Sequence, residues 1–261
     1  MSLKLPVMQH APWSPSKADK ALQCAYAFHR QYTDKAPRTS NTYARTGVTV
    51  HRAQELILEG TRAKTAVQLA IEENEELTHQ EKELVVTFTD AMTEFEARMK
   101  RFVHKHGVSQ ILLEKKWAIT EDFEACDFFD KERAMVRGVV DVAMVTKKGF
   151  VIIIDHKSGK KKPINKFTLQ LDTYVVMAYA AFPECKGVQS ALHFVKHRDI
   201  LWDTMRTPDH IVGVLQPWLK GHLAKAGSHV SGRHPNTGWW CNWCDFKTEC
   251  PVWEEDGTGK G

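Results

Sequence analysis

The chain has 261 residues, enough to bury a substantial core in one or two domains. Its apolar share of 43% and charged share of 26% are ordinary for a globular protein, which excludes a disordered chain, a collagen-like repeat and a disulfide mini-protein. The 36 basic against 32 acidic residues leave a net charge of only +4, so any polyanion site must come from local clustering rather than from the average. No stretch approaches the roughly 18 apolar residues of a membrane span, and the opening MSLKLPVMQHAPW lacks an apolar export core. The expectation is a cytoplasmic protein with no membrane partner.

In chain order, Trp13-Ser-Pro-Ser-Lys predicts a loop capping a helix that begins near Ser16, and residues 21–28 a short buried helix carrying Cys24. Residues 48–60 predict a helix stopped by Gly60. The acidic patch between 72 and 83 reads as a solvated turn and helix start, and 83–104 as one long amphipathic helix. Residues 110–119 and 135–145 then carry the β-branched and aliphatic character of strands. Lys147-Lys-Gly149 is a turn signal, and 151–157 (VIIIDHK) is a buried strand. A helix over 166–182, a strand over 188–197, a helix over 208–226 and an aromatic, cysteine-rich tail complete the pattern. The order predicts an α/β fold. It makes a single domain, with a helical N-terminal portion (1–107), a core (108–230) and a tail (231–261).

The chemistry concentrates on Gly138-Val-Val-Asp141 and Ile154-Asp155-His156-Lys157. Neighbouring strands joined by so short a turn lie about 5 Å apart, so the two carboxylates can converge. Two close anionic oxygens repel, and a hard divalent cation relieves that repulsion by binding both. Lys157, two residues beyond Asp155, falls on the same strand face. Such a set suits phosphodiester hydrolysis, with a water activated by the cation and the ammonium group orienting it or stabilising charge at phosphorus. The plainer reading is a surface salt bridge at a strand end. Gln170 and Tyr174 follow, four apart and hence on one helical face, where both can bond a phosphate and Tyr174 can stack on a base. Taken alone, they read more simply as a surface amide and a core ring.

Asp141, Asp155-His-Lys157 and Gln170-x-x-x-Tyr174 together resemble the ordered motifs of the PD-(D/E)XK nuclease superfamily, and more closely its RecB-type branch. The resemblance runs from about residue 16 to 253 and implies a restriction-endonuclease-like central mixed sheet flanked by helices. It implies Mg²⁺ or Mn²⁺ held by His51, Asp141, Asp155 and the backbone carbonyl of His156, with Glu114 as an extra acidic contact. The departure from the motif is His156 itself, whose ring should point away from the metal.

Cys241-x2-Cys244-x5-Cys250 is followed at once by Pro251, and such close thiols in a reducing compartment favour metal binding over disulfides. Cys24, in an otherwise apolar segment, is the best fourth ligand. Zn²⁺ would accept four thiolates. The one-plus-three arrangement instead resembles the iron–sulfur subset of RecB-type nucleases, which includes AddB and the CRISPR-associated adaptation nucleases. It implies a [4Fe–4S] cluster that staples the tail to Cys24. Trp239, Trp240, Trp243, Phe246 and Trp253 would shelter it, while Cys126 and Cys185 read as small unliganded residues.

From Lys147 to Lys166, seven lysines face the single acid Asp155, and Lys160, Lys161 and Lys162 directly follow the acid-bearing strand. A charge run is usually a solvated face, but beside a metal site it makes a phosphate track, which Arg52, Arg137, Lys196 and Arg198 would extend. There is no G-x-x-x-x-G-K-[ST] loop, so no ATP motor of that kind is expected. The resulting expectation is a metal-dependent DNA exonuclease acting on ends or single strands in recombination, repair or end processing, phage-encoded or linked to CRISPR adaptation, with a helicase or recombination protein as partner. The alternative is a catalytically weak nucleic-acid-binding module stapled by iron–sulfur or zinc.

Overall fold

Buried residues that alternate early in 136–146 and run unbroken over 151–156 build a hairpin at the centre of a sheet. In the computed structural model, which describes residues 10–37 and 42–253, it is preceded mainly by helices. These are α1 (Pro15–Gln23), α2 (Ala25–Phe28), α3 (Thr42–Leu58), α4 (Ala63–Glu73), α5 (His79–Val86) and α6 (Thr89–His106). Then come β1 (Val108–Ile119), β2 (Ala125–Cys126), β3 (Val136–Thr146), β4 (Phe150–Lys157), α7 (Thr168–Ala181), β5 (Gly187–Phe194) and β6 (Asp199–Trp202). The short α8 (Pro208–His210) and α9 (Gln216–His229) precede the tail. Residues 1–9, where the export signal was sought, lie outside the described residues.

The strands form one six-stranded mixed sheet in the order β2-β1-β3-β4-β5-β6. β3 and β4 are antiparallel, with Val142 opposite Ile154 and Val145 opposite Val151, and Gly149 takes the left-handed conformation (φ 85°) that closes their turn. One further step along that register faces Asp141 with Asp155. β4 and β5 are parallel, which requires a crossover, and α7 supplies it. The fold is therefore α/β with helices flanking a mixed sheet, as the order of elements predicts.

By contact density the chain divides into two units. One comprises Ser40–Trp117 and Val139–Ile211, and the other the described parts of Met1–Thr39, Ala118–Gly138 and Val212–Gly261. In the first unit, Val142, Met144, Ile152, Ile154 and Ala191 bury one sheet face against α3 to α6 through residues such as Val50, Val67, Val85 and Phe95. Leu192 and Phe194 cover the opposite face with Leu171 of α7. In the second unit, fully buried Trp13 bonds through its backbone to Met135 and Arg137 beside the start of β3.

Several boundaries differ from expectation for local reasons. α1 starts at Pro15, with Ser14 rather than Ser16 accepting the first-turn amide of Lys17; a proline at the first helical position has no N–H to leave unpaired. The long helix over 83–104 is two helices, because the Thr87 and Thr89 hydroxyls bond back to the carbonyls of Leu84 and Val86 and compete with the ladder. Glu81 is buried rather than solvated. It closes a capping box with Thr78 and holds Arg45, which together draw its pKa down to about 2. The strand over 188–197 ends at Phe194, and the short edge strands β2 and β6 were not anticipated. The helix over 208–226 is interrupted by a π-helical stretch, Ile211–Leu215, just before Pro217, whose ring has no N–H for an i→i−4 bond. Among the described residues, no helix is long and apolar enough to cross a membrane.

Candidate active site

The hairpin register and the strand period deliver Asp141, Asp155 and Lys157 to one end of the β3–β4 pair. Lys157 Nζ lies 2.6 Å from Asp155 Oδ2. From α7, Gln170 reaches both: its amide nitrogen donates to Asp155 Oδ1 at 2.7 Å, and its oxygen accepts from Lys157 Nζ at 2.9 Å. The same nitrogen lies 3.1 Å from the Tyr174 hydroxyl, one helical turn on. Asp141 Oδ2 accepts the backbone N–H of His156 at 2.7 Å and stands 3.7 Å from His51 Nδ1 of α3.

Glu114 joins from β1 through a local irregularity. Its φ of 45° lies in the left-handed region, unusual for a strand residue other than glycine, and re-aims the side chain. One ligand atom each from His51, Glu114 and Asp141 lie within 4.8 Å of one another. An imidazole and hard carboxylate oxygens in that arrangement suit Mg²⁺ or Mn²⁺. Asp155 stands beside this set, turned towards Lys157 and Gln170.

Electrostatics point the same way. Burial, and then their mutual repulsion with neighbouring acids, raises the carboxyls of Asp141 and Asp155 above the ordinary range. Partial burial of its carboxyl end and the charges of Asp141 and Glu55 push Glu114 to about 7. Burial lowers His51, with Lys157 adding to the effect, which keeps its ring neutral and its lone pair available. A cluster of acids held above their normal pKa is under electrostatic stress that a bound cation relieves.

Glu55 was missed by sequence reading, although it sits four residues after His51 on the same face of α3. It interacts with Glu114 and is bonded by Arg52. Gln54 was also missed. Its amide nitrogen lies 2.9 Å from His156 Nδ1 and 3.0 Å from His193 Nδ1 in a fully buried trio packed on Phe95. The His156 ring thus faces the helical layer, away from Asp155. Tyr174 is only 6% exposed, so it offers no ring face to a base, which corrects the stacking expectation. Lys160, Lys161 and Lys162 lie on an exposed loop, but Lys161 is paired with Asp199. Arg52 is committed to Glu55 and Glu73 and does not extend a phosphate track.

The thiols assemble in the other unit. Cys24 interrupts the helical path between α1 and α2 in an extended conformation, and Cys241, Cys244 and Cys250 sit in and after two tight 3₁₀ turns. All four line one pocket with Tyr26, Ala27, Trp240 and Trp253. The Asn236 N–H donates to Cys24 Sγ at 3.4 Å, and the Tyr26 hydroxyl donates to the Glu249 carbonyl at 2.7 Å, tying helix to tail. Four converging thiols with an amide aimed at one sulfur fit a thiolate-bound metal group. Trp239 and Trp243 are 71% and 78% exposed and do not line the pocket, whereas Trp240 and Trp253 do. Cys126 is half-buried and Cys185 buried, and neither lines the pocket.

Comparison with solved structures finds a proposed exonuclease of Eubacterium rectale, 13% identical, covering 90% of this chain and 88% of that one at a TM-score of 0.51, which supports the likeness of fold. SSO0001, 12% identical, covers 92% of this chain and 96% of that one at a TM-score of 0.35. No curated protein matches the chain in sequence. The family model of the PD-(D/E)XK nuclease superfamily matches residues 12–251, a span that takes in every acid, lysine, glutamine and cysteine discussed above. The chain belongs to the PD-(D/E)XK nuclease superfamily.

Proposed function

We propose that the protein is a metal-dependent deoxyribonuclease that hydrolyses phosphodiesters at DNA ends or in single strands. The observation that carries this reading is the junction at the end of β4, where Asp155, Lys157 and Gln170 bond one another beside the His51–Glu114–Asp141 group. Mg²⁺ or Mn²⁺ would be held by His51, Asp141, Asp155 and the His156 carbonyl, with Glu114 as an additional acid. Bound there, the ion supplies Lewis acidity towards the phosphate and its attacking water. Lys157, fixed by Gln170, presents an ammonium group to the charge that grows on phosphorus. Tyr174 holds the Gln170 amide from beneath, a positioning task suited to its burial. Lys160 and Lys162, on the loop after β4, supply exposed cations for the DNA backbone.

In the other unit, Cys24, Cys241, Cys244 and Cys250 would hold a [4Fe–4S] cluster. Their convergence in one pocket supports a thiolate-bound metal group, and the one-plus-three order of the cysteines along the chain is what favours the cluster over a single zinc. A role in recombination, repair or end processing, with a helicase or recombination protein as partner, follows from the same reading.

The test is cleavage of end-labelled single- and double-stranded DNA, linear and circular, in Mg²⁺ and then Mn²⁺. We expect degradation of linear substrates, lost in Asp155→Ala and Lys157→Ala while DNA binding persists. Activity unchanged in either variant would overturn the assignment. A purified protein that binds DNA without cutting it would support the binding-module reading in its place.

A further inference from the structure

One face of α6 carries residues at positions 101, 102, 105 and 106, the helical spacing that sets side chains together. They line an open groove of about 710 Å³, joined by Lys148 from the β3–β4 turn and by Trp202 of β6. Two kinds of group alternate there. The His106 ring stacks on Phe102 with centroids 4.3 Å apart, and Phe102 stacks on Trp202 at 5.5 Å with planes 13° apart. Trp202, 40% exposed, lies on the last strand of the sheet and ends this ladder of rings.

Arg101, Lys105 and Lys148 flank the rings. All three are exposed, and among the described residues none forms an ion pair and no Asp or Glu lines the groove. Lys105 and His106 in the last turn of α6 could serve only to offset the helix dipole. That accounts for neither Arg101 and Lys148 nor a stacked ladder left open at Trp202. A polyanion with flat, apolar faces satisfies both features, and only an unpaired strand offers its base faces.

We propose that this groove is a second nucleic-acid contact, which takes single-stranded DNA by stacking bases on the open ends of the Trp202–Phe102–His106 ladder and seating phosphates on Arg101, Lys105 and Lys148. The inference rests on the nucleic-acid reading of the active site. Ile152, in the groove wall, precedes Asp155 by three residues, about 10 Å along β4 and on the opposite face. The groove therefore holds a stretch of strand away from the bond being cut.

The experiment uses full-length protein carrying Asp155→Ala, so that substrate survives, and measures binding of fluorescein-labelled oligothymidylate and of a duplex of equal length across a salt series. Arg101→Glu with Lys105→Glu should weaken single-strand binding about tenfold and lower the salt slope by roughly two. Trp202→Ala should weaken single-strand binding about tenfold and spare the duplex, with most of the loss restored by Trp202→Phe. Melting temperatures identify any variant that fails to fold, and the charge-reversed pair then carries the test. An unchanged affinity and salt slope in that pair overturns the proposal, as does an equal loss on duplex and single strand in Trp202→Ala. A dimer of the parent chain that Trp202→Ala dissociates also overturns it, because the face would then be covered by a second copy. Cleavage by the protein with Asp155 intact is scored separately, so failure of the groove and failure of the nuclease reading are told apart.

Discussion

Gln170 donates to Asp155 Oδ1 at 2.7 Å while its amide oxygen accepts from Lys157 Nζ at 2.9 Å. The orientation of the amide is dictated by chemistry, since an ammonium group can only donate and an ionised carboxylate only accept. One helical residue therefore sets the spacing of two groups on a strand.

Gln170→Ala should release both ends of that bridge. We expect kcat to fall on the order of 10²-fold, as a small misplacement at a reacting centre can do, with DNA affinity changed by less than about threefold. Gln170→Glu should be at least as damaging, because it sets a second carboxylate against Asp155. Steady-state kinetics decide the matter: a rise in KM with kcat intact would mean that Gln170 touches DNA rather than positioning Asp155 and Lys157.

The acids predict a pH dependence of definite sign. Asp141 is raised in the folded state by burial, so the native protein holds a proton there that the unfolded chain has released. Stability from this group is complete below the unfolded value near 3.8 and is lost as pH rises through the folded value near 6. Asp141→Asn removes the cost. Its melting temperature should match the parent at pH 4 and exceed it at pH 8 by the equivalent of on the order of 1 kcal/mol. Adding Mg²⁺ or Mn²⁺ should stabilise the parent more at pH 8 than at pH 5.5, and leave Asp141→Asn little changed. Equal stabilisation of both proteins by the ion would remove Asp141 from the metal site.

Why some of this was legible in the sequence, and some not, follows from range. Asp155 and Lys157 are two apart on a strand, Gln170 and Tyr174 four apart on a helix, and Asp141 one short turn upstream, so local periodicity brings them close. Four strands of the sheet were visible in their long apolar runs, whereas β2 and β6 are short edges with little pattern of their own. Glu55 carried a readable signal, one turn after His51, that an acidic residue on an amphipathic helix does not make conspicuous. Gln54 had none, because its partners His156 and His193 lie on distant strands that only the packing of α3 and α6 brings together. The break between α5 and α6 turned on two threonine hydroxyls choosing backbone carbonyls, a local competition that hydrophobic periodicity does not register.

The buried trio gives a stability prediction. The Gln54 nitrogen lies within bonding distance of Nδ1 on both rings, and the two Nδ1 atoms lie 3.1 Å from each other, so the three groups form one closed polar cluster. Burial holds His193 down at about 3 and His156 well below its usual value. Gln54→Leu removes a partner from both buried rings and should cost about 1–3 kcal/mol, read as a fall in melting temperature at pH 7. A variant as stable as the parent would show that the rings find other partners.

The thiol pocket supports the last prediction. Among the described residues, the tail after α9 has only two short 3₁₀ turns, so backbone hydrogen bonds alone hold it weakly, and metal–thiolate bonds would supply the missing folding energy. Protein purified without oxygen should be brown, absorb near 400 nm as the family resemblance implies, and contain iron and acid-labile sulfide in equal amounts. Cys250→Ser should bleach it and lower the melting temperature on the order of 10 °C. Cys126→Ser, at a half-buried thiol away from the pocket, should leave colour and melting unchanged. A colourless protein with one equivalent of zinc would replace the cluster with a single ion. A colourless, metal-free protein whose melting ignores Cys250→Ser would leave the tail held by Tyr26, Asn236 and apolar packing alone.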